Sequence, residues 1–227
     1  MVVPRTFSRS SGGSAIYEGR YVKDAQVKRF PADPPPSDPA QSKQELRARI
    51  RAERARLPQA TREQWDAQIL EHVLKHLATR QARVVVAYWP LPGEPGGPEL
   101  IPRLHEAGIQ VLLPRVVPGT RNLEFCLYHG RVSTGTYGIT EPMGSADPRF
   151  PEEVDQFLIP ALAVDELGFR LGQGGGFYDR NIGELSTDTE VCAILDNREY
   201  LTRVPTEPWD LRVSAVITQN GYSTILK

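Results

Sequence analysis

The sequence lacks the cysteine patterns that define disulfide-stapled and zinc-binding proteins. Its two cysteines, Cys126 and Cys192, form no Cys-x-x-Cys or Cys/His spacing, and each lies in an apolar run of strand length. Such residues are typical of reduced thiols in the core of a cytosolic protein. Neither a disulfide framework nor a zinc centre is therefore predicted.

Long hydrophobic runs are also missing. No apolar stretch approaches the roughly 18 residues that a membrane span requires, and the N-terminus has no apolar signal core. We expect a cytoplasmic protein that does not associate with membranes. An organellar address is the alternative, because residues 1–17 contain Arg5 and Arg9 but no acidic residue.

An excess of charge of one sign is absent as well. Lys and Arg number 27 against 28 Asp and Glu, which gives a formal net charge of -1. A chain without a global basic field has no general attraction for nucleic acid or for an anionic membrane. We expect no nucleic-acid partner, and any anion site has to be local.

Residues 1–41 are rich in Pro, Ser and Gly and follow neither helical nor strand periodicity. This composition predicts a flexible extension. The remaining residues, 42–227, are predicted to form a single domain. A capping-box pattern at Ser42 and Glu45 begins a helix that runs to residue 57, and a second pattern at Thr61 and Gln64 begins a helix to about residue 79.

The first helix carries a stripe of basic residues beside its apolar face, formed by Lys43, Arg47, Arg51 and Arg54. This position suits the binding of a polyanion at a domain edge. A solvated charged face is the alternative, and for the helix alone it is the favoured one.

His72 and His76 lie four residues apart on the second helix, a spacing that can hold a metal ion. However, Glu71 precedes the first histidine instead of following it, and no third ligand is near. Ordinary helix histidines are therefore favoured over a metal site.

Apolar runs of strand length alternate with helical patterns through the rest of the chain, which predicts an α/β fold. The predicted strands cover residues 83–89, 109–114, 123–128, 155–163, 190–195 and 213–218. The first strand ends in the loop PLPGEPGGP, and loops at the carboxyl ends of strands bind the ligands of open α/β sheets. Trp89 and Glu94 are therefore candidate substrate contacts, with a core aromatic and a solvated acid as the alternatives; Tyr137 and Glu141 are weaker candidates for the wall of the site.

The most informative stretch is RLGQGGGFYDR, residues 170–180, which joins a strand to a predicted helix starting near Gly176. Glycines at 172, 174, 175 and 176 permit positive φ and expose backbone N–H groups, as an anion cradle requires. A tight turn is the alternative, but a turn needs fewer glycines and no adjacent Asp179.

Familiar nucleotide and hydrolase motifs do not match this stretch. A dinucleotide-binding Gly-x-Gly-x-x-Gly counted from Gly172 fails at Phe177, and a Walker A loop fails at residues 177–179. No Gly-x-Ser-x-Gly nucleophile elbow is present. The cradle is therefore of another kind.

Asp179 and Asp210 are candidates for a magnesium site, because Mg²⁺ is commonly held by one or two carboxylates together with substrate phosphates and water. Asp196 follows its own predicted strand and is a rival to Asp210. The residues alone do not distinguish the two.

These motifs together resemble the 5-formyltetrahydrofolate cyclo-ligase family. The glycine stretch after PALAVDELG is similar to the family's signature, and further blocks follow in the family's order: KQELR, YWPLPGE, LPRV, LEF, YGITEP and EPWDLRVSAVIT. The likeness covers about residues 42–219. It implies a three-layer α/β/α fold with a mostly parallel central sheet.

The resemblance also implies an activity. Members use ATP and Mg²⁺ to convert 5-formyltetrahydrofolate, polyglutamylated or not, into 5,10-methenyltetrahydrofolate with release of ADP and phosphate. The partners implied are ATP and this folate, and we expect a monomer or a weak dimer. A related enzyme acting on another formamide or amino substrate is one alternative, and a non-catalytic nucleotide-binding paralogue is another.

Carried over residue by residue, the resemblance assigns roles in one site. The expected catalytic residues are Lys43, Arg170, Tyr178 and Asp179. The expected ATP contacts are Lys43, Arg47, Arg170, Gly172, Gln173, Gly174, Gly175, Gly176, Phe177, Tyr178 and Asp179. The expected folate contacts are Trp89, Glu94 and Tyr137, and the expected Mg²⁺ ligands are Asp179 and Asp210. Gln173 departs from the Tyr or Arg that many members have there, and Phe177 from their Tyr, so a side-chain contact is replaced or lost at each.

Overall fold

A computed structural model describes residues 39–135, 138–182, 189–207 and 210–225. None of the helices in this part of the chain is long and apolar enough to cross a membrane. The helices are α1 (Pro39–Ala55), α2 (Gln59–Arg80), α3 (Leu100–Glu106) and α4 (Phe177–Asn181).

Both predicted capping boxes are wrong in position. Ser42 is buried inside α1, and the helix already includes residues 39–41, which the sequence assigned to the extension. In α2 the N-cap is Pro58, with φ -57° and ψ 142°, so Thr61 falls within the first turn. Proline fixes φ before a helix without any side-chain cap, and it therefore overrides the downstream Thr-x-x-Gln pattern.

Twelve strands follow one another along the described chain: β1 (Val84–Val86), β2 (Gln110–Val116), β3 (Leu123–Leu127), β4 (Val132–Thr134), β5 (Thr140–Pro142), β6 (Gln156–Pro160), β7 (Ala163–Asp165), β8 (Arg170–Leu171), β9 (Val191–Ile194), β10 (Tyr200–Leu201), β11 (Ala215–Thr218) and β12 (Gly221–Thr224). The main sheet has seven strands in the order β12-β11-β9-β6-β1-β2-β3. Its five inner strands pair in parallel, and only β3 and β12 are antiparallel to their neighbours. The predicted α/β fold with a mostly parallel central sheet is confirmed.

The strand order reverses at β1. The chain passes from β1 to β2 on one side, and then crosses to β6, β9 and β11 on the other. In a doubly wound sheet, ligands bind in the crevice at the carboxyl ends of the two strands on either side of such a reversal. The topology therefore points to the loops that follow β1 and β6 as the place for a site.

Side chains of the inner strands alternate between two apolar layers, as period-two geometry requires. Val85, Leu158 and Ile217 pack with α2 and α3 on one face. Val86 and Phe157 pack on the other face against residues from α4's end, loops and short strands. The layer opposite α2 is thus built mainly from short elements, while α1 packs separately on the small sheet β10-β7-β8.

The predicted strand over residues 155–163 divides in two. β6 ends at Pro160, and Leu162 then donates to the carbonyl of Leu171, so that β7 joins the small sheet. Asp165 at the end of β7 is fully buried, and its carboxylate accepts hydrogen bonds from three backbone N–H groups, those of Leu167, Phe169 and Val204. This turn returns the chain toward β8 and the glycine stretch.

Candidate active site

An open cleft of about 1460 Å³ lies at the strand-order reversal. The loops after β1 and β6 line it, together with the glycine stretch, one face of α1 and the segment before β11. The predicted site residues that line it are Lys43, Arg47, Trp89, Glu94, Arg170, Gly172, Gln173, Gly174, Gly175, Gly176, Phe177, Tyr178, Asp179 and Asp210. Tyr137 lies outside the described residues.

The glycine stretch leads from β8 into α4. Gly174 has φ +104°, and Gly176, at the N-cap of α4, has φ +69°, so two of the four glycines take the backbone conformation expected of a cradle. Gln173 to Gly176 are exposed to the cleft. α4 begins at Phe177, next to the predicted start near Gly176, and is five residues long.

Two arginines of α1 hold the beginning of this loop. Arg47 donates from Nε to the carbonyl oxygen of Gly172 at 2.9 Å, and Arg51 donates from Nη2 to the carbonyl oxygen of Gln173 at 3.1 Å. Because α1 and the loop are far apart in sequence, these bonds fix the loop against a separate element. Of the basic stripe of α1, Lys43 and Arg47 line the cleft, while Arg54 pairs with Glu199 away from it, so the stripe is not merely solvated.

The Gln173 side chain connects the glycine stretch to the loop after β1. Its Oε1 accepts from Arg51 Nη2 at 2.8 Å, and its Nε2 donates to Glu94 Oε1 at 2.8 Å. Glu94 is buried, and its Oε2 accepts the backbone N–H of Leu91 at 3.0 Å. The residue that departs from the family pattern thus has a defined set of partners.

Lys43 forms ion pairs with two carboxylates. Its Nζ is 2.6 Å from Oδ2 of Asp210 and 2.6 Å from Oε2 of Glu207. The Lys43 side chain is only 6% exposed, so little water is left to screen these contacts. Sequence reasoning missed Glu207, although it stands in the same EPWD block as Asp210.

Asp179 lies at the same corner of the cleft. Its Oδ1 accepts from Arg170 Nη2 at 2.8 Å and from the backbone N–H of Leu211, the residue after Asp210, at 3.1 Å. Asp196 is engaged elsewhere, because its side chain caps a short 3-10 turn and pairs with Arg198. Asp196 does not line the cleft among the described residues.

Arg170 is buried beneath the glycine stretch. Besides its bond to Asp179, it donates to the carbonyl of Pro160 at 3.2 Å, and its guanidinium lies 5.7 Å from the ring centre of Tyr178. A Cβ on Gly172 would come within 2.7 Å of Arg170 Nη1, so a larger residue there would displace the Arg170 guanidinium. The Nε of Arg170 has no hydrogen-bond partner among the described residues.

The electrostatics of the cleft affect two titratable side chains directly. Burial, and then the nearby Glu94 carboxylate, raises the pKa of Tyr178, so its phenol stays protonated and able to donate at neutral pH. Burial, followed by the neighbouring Arg51, lowers the pKa of Arg47 from its very high ordinary value.

The opposite wall is formed by the loop after β1. The Tyr88 hydroxyl donates to the carbonyl of Pro95 at 2.7 Å, and the backbone N–H of Gly96 donates to Asp66 Oδ1 at 3.0 Å. Trp89 is partly buried and packs edge-on against Tyr128, with ring centres 5.8 Å apart. These contacts hold the turn that carries Glu94.

Two weaker candidates have structural partners. Glu141 is buried and accepts the backbone N–H of Val116 at 3.1 Å while also lining the cleft. His76 is buried, within 3.1 Å of Gln156 Oε1 and 3.2 Å of Glu190 Oε1. No cluster of three or more metal-binding side chains occurs within the described ranges.

Comparison with known proteins gives a consistent result. A sequence model of the 5-formyltetrahydrofolate cyclo-ligase family matches residues 39–219. The chain is similar to the 5-formyltetrahydrofolate cyclo-ligase of Mycolicibacterium smegmatis, with 36% identity over 186 residues that cover 78% of this chain and 93% of that protein. The corresponding enzyme of Haemophilus influenzae is 31% identical over 176 residues, covering 75% and 94%.

A solved structure has the same fold. The 5,10-methenyltetrahydrofolate synthetase of Aquifex aeolicus superposes with a TM-score of 0.70 and 24% identity, over 82% of this chain and 93% of that one. The agreement covers most of both chains rather than a single motif.

Proposed function

Since the chain belongs to the 5-formyltetrahydrofolate cyclo-ligase family, we propose that its cleft binds ATP and 5-formyltetrahydrofolate side by side and catalyses the reaction between them. The reaction is the ATP-dependent cyclisation of 5-formyltetrahydrofolate to 5,10-methenyltetrahydrofolate with release of ADP and phosphate. The formyl oxygen attacks the γ-phosphorus of ATP as ADP leaves, N10 then attacks the resulting iminium carbon and loses its proton, and phosphate departs. The enzyme chiefly has to position the reactants and neutralise charge.

The glycine stretch and α1 bind the triphosphate in this proposal. Exposed backbone N–H groups from Gly174 to Gly176 offer donors to phosphate oxygens, and Arg47 and Lys43 supply positive charge from α1. The buried Nε–H of Arg170, which has no partner in the described chain, is a further donor available to an anion. Tyr178, like any tyrosine at neutral pH, is protonated, and its hydroxyl can donate to an oxygen of either substrate.

We further propose that Asp179 and Asp210 hold a Mg²⁺ ion together with the phosphates of ATP. Carboxylate oxygens are the ligands that this ion prefers, and both carboxylates lie beside a cation: Asp179 accepts from Arg170, and Asp210, like Glu207, is paired with Lys43. Within the described residues they do not form a closed metal site by themselves, which suits an ion that takes its remaining ligands from ATP and water. When bound, the ion would neutralise developing charge on the phosphoryl oxygens.

Glu94 and Trp89 bind the folate from the other wall, with Tyr137 as a third contact from the sequence pattern. The observation that carries the proposal is the 2.8 Å bond between Gln173 Nε2 and Glu94 Oε1. It directly joins the glycine stretch to the loop after β1, which carries the proposed folate contacts. A formyl oxygen bound near Glu94 would therefore be close to a phosphate bound at the glycine stretch.

We also propose an oligomeric state, a location and a range of ligands for the enzyme. The enzyme acts as a monomer or weak dimer in the cytoplasm, takes its folate with or without a polyglutamate tail, and binds neither nucleic acid nor membranes. The single domain then includes α1 from Pro39 onward, and the rest of the predicted extension, residues 1–38, lies outside the described residues. Size-exclusion chromatography with light scattering tests the oligomeric state, and kinetics with mono- and polyglutamylated folates test the tail.

The activity is tested with purified protein, ATP, Mg²⁺ and 5-formyltetrahydrofolate. We expect formation of the methenyl product, followed by its absorbance, with one ADP released for each product. A protein that binds ATP but forms no methenyl product would overturn the proposed function.

A further inference from the structure

Gln173 is the only described side chain of the glycine stretch that hydrogen-bonds to the side chain of Glu94 in the loop after β1. It is also bonded to α1, through Arg51, at both its side-chain and its backbone oxygen. Three elements that the chain brings together from distant positions therefore meet at one amide group.

The orientation of this amide is determined by its partners. Arg51 can only donate, so it requires the carbonyl oxygen Oε1, and an ionised Glu94 can only accept, so it requires the amide nitrogen Nε2. The distances of 2.8 Å on both sides agree with this assignment. A Glu at position 173 would satisfy Arg51 but repel Glu94, and a cationic residue would do the reverse.

The Glu94 carboxylate has a second restraint, because its Oε2 accepts the backbone N–H of Leu91 at 3.0 Å within its own turn. With one oxygen held inside the loop and the other held by Gln173, rotation of the carboxylate is restricted from both sides. Loss of the Gln173 bond would free one oxygen while leaving the loop intact.

We propose that Gln173 is a positioning residue, which orients the Glu94 carboxylate for the folate and is itself oriented by Arg51. This inference rests on the proposed function. Gln173 takes no part in the bond changes, so it acts on folate binding and not on phosphoryl transfer. The hydrogen bond between Gln173 and Glu94 also makes the position of the loop after β1 depend on that of the glycine stretch.

The test uses two variants of similar size and opposite chemistry. Gln173→Met removes both hydrogen bonds, and we expect KM for 5-formyltetrahydrofolate to rise about tenfold, the scale of one hydrogen bond to a charged group. Gln173→Glu keeps the bond to Arg51 but sets a second carboxylate against Glu94, so its KM for the folate should rise further. In Gln173→Met, which adds no charge beside the proposed phosphate site, KM for ATP should rise less than KM for the folate.

The rank order separates positioning from a general structural role. If Gln173 only secured the glycine stretch to α1, Gln173→Glu would resemble the wild type more than Gln173→Met does, and that order would overturn the inference. An unchanged folate KM in Gln173→Met would also overturn it. Gln59→Met is the matched control, because Gln59 donates to Glu63 at 2.7 Å on the exposed surface of α2.

Arg51→Met completes a double-mutant cycle. Because Arg51 is proposed to act on the folate through Gln173, it should add nothing to the folate KM of Gln173→Met. Additive effects would contradict the relay. Calorimetric titration with 5-formyltetrahydrofolate repeats the comparison without turnover, so it decides the inference even if the wild type makes no methenyl product; equal affinities in wild type and Gln173→Met would overturn it.

Discussion

The ammonium group of Lys43, near the start of α1, lies 2.6 Å from Oδ2 of Asp210, 167 positions further along the chain. This pair closes one corner of the cleft and joins the two ends of the folded chain there. The same Asp210 oxygen accepts the backbone N–H of Glu207 at 2.7 Å, which fixes the carboxylate in place. A proposed phosphate contact and a proposed metal ligand are thus already neighbours.

Lys43→Met is expected to reduce both activity and stability. Removal of the ammonium leaves Asp210 and Glu207 with only the more distant charge of Arg47 near them, which should cost about 2 kcal/mol of unfolding free energy because Glu207 is partly exposed. The loss of a positive charge beside the phosphates should lower kcat/KM by at least about a hundredfold. Urea unfolding and steady-state kinetics measure the two effects; Lys75→Met, on the exposed face of α2, is the control. Normal activity in Lys43→Met would remove Lys43 from the site.

Asp179→Asn separates the charge of Asp179 from its structural contacts. The side-chain oxygen of Asn can still accept from Arg170 and from the backbone N–H of Leu211, so the fold should lose only about 1 kcal/mol. Turnover should be abolished, because an amide is a poor Mg²⁺ ligand compared with a carboxylate.

The check on this assignment is a Mg²⁺ titration of activity in both proteins. The control is Asp147→Asn, which makes the same chemical change in a pair with Arg149 that does not line the cleft. Turnover of Asp179→Asn at the wild-type level and at the same Mg²⁺ concentration would contradict a metal role for Asp179.

Glu94→Gln tests the proposed role of Glu94 in folate binding. The variant keeps an acceptor for the backbone N–H of Leu91 but loses the negative charge, and its amide nitrogen then opposes the donor Nε2 of Gln173, so that hydrogen bond is lost. We expect KM for 5-formyltetrahydrofolate to rise at least about tenfold while KM for ATP changes little. Glu99→Gln alters an exposed acid in the same connection and should behave as the wild type. Equal effects on both substrates would point to collapse of the cleft instead.

The sequence predicted those parts of the site that depend on local chemistry. The glycine stretch was recognisable because positive φ, and backbone that a ligand must approach closely, both favour glycine. Gly174 and Gly176 have positive φ. The five-stranded parallel core was predictable because strands buried on both faces read as continuous apolar runs, as in Val84 to Ala87.

Contacts between distant segments could not be predicted in the same way. The bonds from Arg51 to Gln173 span 122 positions, and the bond from Gln173 to Glu94 spans 79. They depend on how α1 packs on the small sheet, which is fixed by buried residues such as Leu46 and Ile50 rather than by the polar residues themselves. Antiparallel β12 was missed for a related reason, since its partly exposed residues carry no continuous apolar run.

Asp66 gives the fold a pH dependence that can be isolated. Its partial burial in α2 raises the pKa of its carboxyl from 3.8 to about 6, although Oδ1 accepts the backbone N–H of Gly96. The folded state therefore favours the neutral form, and as pH falls from above 6 toward 3.8 this group binds its proton earlier in the folded than in the unfolded chain. Its contribution to the unfolding free energy should rise over that interval by about 1 kcal/mol, once solvent screening of this partly exposed group is allowed for.

Asp66→Asn should remove this component while keeping an acceptor for Gly96. The difference in unfolding free energy, variant minus wild type, should therefore be about 1 kcal/mol larger at pH about 7.5 than at pH about 4. The other titrating groups do not affect this comparison, because they are common to both proteins. Urea unfolding of both proteins at the two pH values measures the difference, and Glu71→Gln, which changes an exposed acid of the same helix, should not produce it. A pH-independent difference between Asp66→Asn and wild type would mean that the loop after β1 holds Asp66 ionised with no penalty.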